Sequence, residues 1–66
     1  MKFEVIVRNV HKMWIDANTP EMAYRGVCCW FSPRTLVTIR NVETNKRDIY
    51  SHELDKSGNL LEIIQH

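Results

Sequence analysis

Hydrophobic and polar residues alternate over the beginning of the chain. Residues 2 to 8 carry Phe3, Val5 and Val7 on one side and mainly polar residues on the other. Alternation with a period of two is typical of a half-buried β-strand. The pattern resumes over about residues 11 to 17, and the short Asn9-Val10 connection predicts a hairpin between these two strands.

A helix is predicted after the hairpin. Asn18 or Thr19 can cap the first free amide groups, and Pro20 suits the first helical position. Because Pro33 disfavours helical geometry in the residue before it, the helix is expected to end near residues 31 to 32. Its broad apolar face comprises Met22, Ala23, Gly26, Val27, Trp30 and Phe31, and its narrow opposite face comprises Glu21, Arg25 and Cys28.

Three further strands follow the helix. Residues 35 to 42 are rich in β-branched side chains, and residues 47 to 54 form a strand after a turn over residues 43 to 46. A second turn over residues 55 to 59 leads to the last segment, Leu60 to Gln65, which a strand or a short helix could form. A strand is favoured, because Gly58 interrupts any longer helix and so short a segment does not nucleate one.

These elements predict a single α+β domain over residues 1–66 with the order ββαβββ. A right-handed crossover through the helix places the third strand beside the first, so the antiparallel sheet has the order 2-1-3-4-5. One helix can cover only one face of this sheet. The residues predicted on the uncovered face are Ile6, Arg8, Lys12, Trp14, Thr38, Arg40, Tyr50 and His52.

Charge and cysteine content restrict the function classes. The net charge of +1 is too small to predict nonspecific coating of DNA. The longest apolar run, residues 27 to 31, is too short for a transmembrane helix, and the N-terminal segment lacks the features of a secretory signal. Cys28 and Cys29 are adjacent and are expected to be reduced thiols. We therefore expect a cytoplasmic protein.

Neither a metal site nor an enzyme is predicted. His11, His52 and His66 lack the paired spacing with Cys28 and Cys29 that a structural zinc site requires. No phosphate-binding loop or nucleophile motif is present. We accordingly predict no cofactor and no catalytic residue.

Trp14 is the residue that most requires an explanation, because Lys12 and Asp16 place it on the polar side of its strand. It could pack over Ile6 as a small second core, or it could anchor a protein partner, as Trp does in many interfaces. The leading hypothesis is a non-enzymatic module that binds a protein. Its predicted binding residues are Trp14, Ile6, Arg40, Tyr50, Lys12, Arg8 and His52.

Two alternative functions use the same elements. A single-stranded nucleic acid could stack on Trp14 and Tyr50 beside Arg40. The third hypothesis is a homo-oligomeric structural protein that pairs through an edge strand or the helix flank. That flank is suggested by the wide apolar arc of the helix, which extends through Met22, Tyr24 and Cys29.

The stretch from Ala17 to about Ile39 resembles the small RNA-polymerase inhibitors that some bacteriophages encode. The similarity lies in Ala17, Thr19 and Ala23 around the strand-to-helix junction, the aromatic pair Trp30-Phe31, and Pro33 before an alternating strand with Arg40. The resemblance implies a small phage-like protein that acts by occluding a host or partner protein, located in the host cytoplasm if a phage encodes it.

Overall fold

The computed structural model describes all 66 residues. The strands are β1 (Lys2–Val7), β2 (Val10–Asp16), β3 (Val37–Asn41), β4 (Arg47–Leu54) and β5 (Leu60–Gln65), and helix α1 comprises Pro20–Val27. All neighbouring strands are antiparallel, and they lie in the order β2-β1-β3-β4-β5. This confirms the predicted α+β fold, its ββαβββ order and the strand conformation of the last segment.

Helix α1 begins as predicted but ends earlier. The Thr19 hydroxyl accepts a hydrogen bond from the Met22 amide at 3.1 Å, and Pro20 is the first helical residue. After Val27 the chain continues as one 3₁₀ turn over Cys28–Trp30, so the prediction of a helix to residues 31 to 32 is wrong. Because a 3₁₀ turn spaces side chains differently from an α-helix, Cys28 is buried and Trp30 is 73% exposed.

The hydrophobic core lies between α1 and one face of the sheet, which we call the covered face. Its buried residues are Phe3, Val5, Ala23, Tyr24, Val27, Cys28, Val37, Ile39 and Tyr50. Gly26 lets the helix approach β2 closely, since a Cβ atom there would lie 3.2 Å from Ile15 Cδ1. Tyr24 is fully buried, so it is not part of an unpartnered helix flank, whereas Met22 and Cys29 are exposed.

The turns are tight and adopt left-handed backbone geometry. Arg8 and Asn9 connect β1 to β2 with φ values of 53° and 64°, as a two-residue hairpin requires. The predicted connection at Asn9-Val10 is therefore displaced by one residue, and Arg8 lies in the turn instead of on the uncovered face. Asn45 (φ 64°) and Gly58 (φ 86°) lie in the two turns predicted around β4.

A β-bulge in β2 changes the direction of one predicted site residue. Val5 lies opposite Met13 and Ile6 lies opposite His11, so Lys12 is an extra residue in β2. Lys12 lines a groove beside Trp30 and is not on the uncovered face as predicted. Because of the bulge, His11 lies on the uncovered face, opposite Ile6, where Lys12 was predicted.

The pairing of β3 with β4 corrects two further predictions. Tyr50 lies opposite Val37, which is buried in the core. Because directly opposite residues share a face of an antiparallel pair, Tyr50 and His52 project towards α1. Both side chains are buried, so neither lies on the uncovered face.

Candidate partner-binding surface

The face of the sheet opposite α1, which we call the open face, retains four of the eight residues predicted for it: Ile6, Trp14, Thr38 and Arg40. Ile6 and Thr38 are directly opposite each other in the pairing of β1 with β3. Ile6 is buried, which makes it part of the floor of this surface and limits its direct contact with a partner.

Trp14 is 49% exposed on β2 and is held from two sides. The His11 ring centroid lies 4.6 Å from that of Trp14, with an angle of 47° between the ring planes. Lys2 Nζ lies 5.0 Å from the indole centroid, within the range of a cation–π interaction. These contacts orient the indole while about half of its surface stays accessible to a partner.

A hydrogen-bonded row of charged side chains crosses the open face beside Trp14. Arg40 Nε donates to Glu4 Oε1 at 2.7 Å, and His11 Nδ1 donates to Glu4 Oε2 at 2.9 Å. Arg40 Nη1 also donates to Asn45 Oδ1 at 3.3 Å. The hydrogen bond from Arg40, assisted by the one from His11, lowers the pKa of Glu4 despite its partial desolvation. Glu4 and Arg40 are therefore held in one arrangement on the open face.

Cationic groups on this face are not all neutralised. Arg47 lies directly opposite Arg40 in the pairing of β3 with β4. Neither Lys2 nor Arg47 forms an ion pair, whereas Arg40 is paired with Glu4. Asp16 lies directly opposite Lys2 on the same face, so the charges beside Trp14 are of both signs, and Arg47 on β4 is the cation with no carboxylate opposite it.

Tyr50 and His52 form a different cluster beneath α1. The Tyr24 hydroxyl is hydrogen-bonded to His52 Nδ1 at 2.8 Å, and the Tyr24 and Tyr50 rings stack with centroids 5.4 Å apart. Burial raises the pKa of Tyr24 to about 12 and also raises the pKa of Tyr50. This environment keeps the phenols of Tyr24 and Tyr50 neutral. Tyr50 and His52, which the sequence predicts as binding residues, therefore belong to the core.

Sequence reasoning missed Glu4 and His11 as members of the candidate site. The alternation of β1 places Glu4 on the same side as Ile6, so a signal for Glu4 was present in the sequence. No such signal exists for His11, because simple alternation from Trp14 puts it on the opposite side. The bulge at Lys12 reverses that assignment.

One hydroxyl–imidazole pair also occurs between β4 and the chain end. Ser51 Oγ and His66 Nε2 are 2.7 Å apart. Ser51 is buried, so its hydroxyl is not accessible to a substrate in this arrangement and acts as a structural link. No group of three or more His, Cys, Asp or Glu side chains is arranged to hold a metal ion.

Comparisons with known proteins add no family or function to this surface. No protein-family model, curated protein or solved structure matches the chain. No helix in the structure has the length and apolar character needed to span a membrane.

Proposed function

We propose that this protein is a non-enzymatic binding module that occludes part of a partner protein with its open face. The observation that supports the proposal is the half-exposed Trp14 on a regular β-strand, oriented by Lys2 and His11. Tryptophan and arginine are enriched among the residues that dominate protein interfaces. A side chain already oriented on a sheet loses little conformational freedom when it binds.

The chemistry of this surface indicates the kind of partner it fits. The indole requires an apolar pocket, and the charges of both signs around it, Lys2 opposite Asp16 and the unpaired Arg47 on β4, favour a partner whose charges are complementary to this pattern. The internally paired Glu4 and Arg40 add a fixed polar pattern beside the indole. We therefore infer a protein surface with an apolar pocket and a rim of mixed charge.

Protein binding is favoured over the nucleic-acid alternative by the position of Tyr50. A stacking platform for unpaired bases needs several accessible aromatic rings and free cations along the backbone path. Tyr50 is buried beneath α1, and Arg40 is engaged by Glu4, which leaves Trp14 as the aromatic ring of the open face. The resemblance to phage-encoded polymerase inhibitors stays a prediction about the mode of action, namely occlusion.

The two tryptophans provide a matched test. Affinity capture from a lysate of the producing cells, followed by mass spectrometry, should recover a protein with the wild-type chain. Trp14→Ala is expected to lose this protein, whereas Trp30→Ala, which removes an even more exposed indole, should retain it. Equal loss with both variants, or retention by Trp14→Ala, would contradict the proposal.

A salt titration distinguishes protein binding by the open face from the alternative of nucleic-acid binding. Binding of a fluorescent single-stranded oligonucleotide by the purified protein should be weak and should not depend on Trp14. Tight binding that falls steeply with salt and is lost in Trp14→Ala would instead assign the open face to nucleic acid.

A further inference from the structure

A groove beside the 3₁₀ turn, which we call the Trp30 groove, shares no residue with the open face. It lies between the β1–β2 hairpin and the segment that leads from Trp30 to β3, and its volume is about 470 Å³. Val7, Met13 and Phe31 line it, and all three are half-buried side chains that pack against the core. Because the core fixes these side chains, the Trp30 groove has a preformed apolar floor.

An aromatic ring and a cation lie at the edge of this groove. Trp30 is 73% exposed, which makes its indole available to a ligand. Lys12 is the extra residue of the bulge in β2, and a bulge changes the direction of the side chain it carries. Lys12 forms no ion pair, and no Asp or Glu lines the groove. The ammonium group of Lys12 is therefore not neutralised within the chain.

The Trp30 groove continues into a second depression, which shares Val7 and Thr35 with it and is also lined by Arg8 and Arg34. Arg34 is occupied, since its Nε donates to Glu53 Oε1 at 3.0 Å. Arg8 forms no ion pair, and no carboxylate lines this depression either. The charges available to a ligand along the whole groove are thus positive, which favours an anionic ligand.

The size of the groove and the bulge favour a small molecule over an extended peptide. Sites for small ligands usually have volumes of about 300–1,000 Å³, an apolar lining and a few polar groups. A peptide that adds a strand to the sheet needs a regular edge, and the bulge at Lys12 interrupts the edge of β2. Ser32 and Thr35 contribute hydroxyl groups to the groove, and hydroxyls can donate hydrogen bonds to a carboxylate.

We propose that the Trp30 groove is a binding site for a small aromatic carboxylate. The aromatic body of the ligand packs on the apolar floor and against the Trp30 indole, as aromatic rings do in protein interiors. Its carboxylate lies beside Lys12, and the single charge of the ammonium group matches the single charge of the ligand. This site is independent of the binding of a partner protein by the open face.

Three naphthalene derivatives of equal shape test the charge preference. Naphthalene-2-carboxylate should bind with a Kd of about 1 mM or lower, a value expected for a ligand of this size. Titration into isotope-labelled wild-type protein should move the NMR signals of the Trp30 indole N–H and of Phe31, and the shifts should saturate. The neutral naphthalene-2-carboxamide should bind about fivefold more weakly, since it lacks the charge that Lys12 attracts, and the cationic naphthalen-2-ylmethylamine more weakly still.

Substitutions in the groove test the two interactions separately. Lys12→Gln should weaken binding of the carboxylate about fivefold and leave binding of the carboxamide unchanged. Trp30→Ala should weaken both ligands about fivefold, because both use the aromatic contact. The matched control is Lys46→Gln, which removes an exposed lysine from the turn between β3 and β4 and should change neither affinity. Lys12 and Trp30 are both exposed, so these variants should fold, which circular dichroism checks.

Several outcomes would overturn this assignment. One is the absence of saturable shifts at Trp30 up to about 10 mM carboxylate. Others are equal binding of the carboxylate and the amine, or an equal loss in Lys12→Gln and Lys46→Gln. Tighter binding of an acetylated peptide with one phenylalanine between two glutamates would assign the groove to a peptide instead. Trp14→Ala should still bind the carboxylate, and Lys12→Gln should still capture the protein partner, so failure of one site is distinguishable from failure of the other.

Discussion

Each face of the sheet carries a histidine in a short hydrogen bond, but the two surroundings differ. His52 Nδ1 lies 2.8 Å from the Tyr24 hydroxyl beneath α1, beside the Tyr24 ring and away from solvent. His11 lies 2.9 Å from Glu4 on the open face, beside the half-exposed Trp14. A polar group in the core must find its partners within the protein, whereas one on the open face can exchange water for a partner molecule. The same residue type thus supports stability on one face and is available for recognition on the other.

The largest expected effect comes from truncating Tyr50, a residue that the sequence placed on the open face. Tyr50→Ala leaves a cavity under α1 and removes the ring that stacks on Tyr24. We expect the free energy of unfolding to fall by about 3–5 kcal/mol, as for other large aromatic residues in cores. Urea denaturation followed by circular dichroism measures the change. A loss below about 1 kcal/mol, the range of ordinary surface substitutions, would return Tyr50 to the open face.

The second largest expected effect is the destabilisation of the covered face at alkaline pH. The pKa of Tyr24 is raised from its ordinary value near 10 to about 12, so the fold favours the neutral phenol. Its contribution to stability is complete below pH 10, the ordinary value, and is lost as pH rises towards 12. Denaturation midpoints measured across this interval should fall less steeply for Tyr24→Phe than for the wild-type chain. Parallel curves for the two proteins would show that the Tyr24 hydroxyl is accessible to water.

Acid pH should destabilise the open face, because protonation of Glu4 weakens its interactions with Arg40 and His11. Because the pKa of Glu4 is lowered below its ordinary value of 4.5, its contribution is complete above that pH and is lost as pH falls through the lowered pKa. Glu4→Gln should therefore make the acid side of the stability profile shallower. Arg40→Gln should do the same, since the Arg40 hydrogen bond is the main cause of the shift. An acid profile that neither variant changes would indicate that the row of charges is not formed in solution.

The smallest expected effect on stability is that of Trp14→Ala. The substitution removes an exposed cation–π contact with Lys2 and a ring contact with His11, and we expect a loss of about 1 kcal/mol or less. The difference between the losses in free energy of unfolding for Tyr50→Ala and Trp14→Ala, measured by the same denaturation assay, distinguishes the core under α1 from the open face. Unfolding of Trp14→Ala would mean that the indole is a second core, the alternative left open by the sequence.

The sequence pattern correctly predicts β4 as a strand, but the prediction that Tyr50 and His52 of this strand lie on the uncovered face is wrong. The predicted turn over residues 43 to 46 places Val42 opposite Arg47, and alternation from Thr38 and Arg40 puts Val42 on the uncovered face. Opposite residues share a face, so this turn already implies that Arg47 and Ile49 lie on the uncovered face and that Tyr50 lies beneath the helix. Ile49, an apolar residue on the open face, obscured this alternation.

Local signals in the sequence determined the order of the elements, the start of α1 at Thr19 and Pro20, and the side of β2 on which Trp14 lies. Alternation and capping depend on residues close together in the chain, so they can be recognised without knowledge of the fold. Only the tertiary structure decided that His11 replaces Lys12 on the open face and that Arg40 is bound by Glu4. The ion pair joins β1 and β3, which are distant in the chain, and the bulge inserts a residue that the alternating pattern of β2 does not indicate.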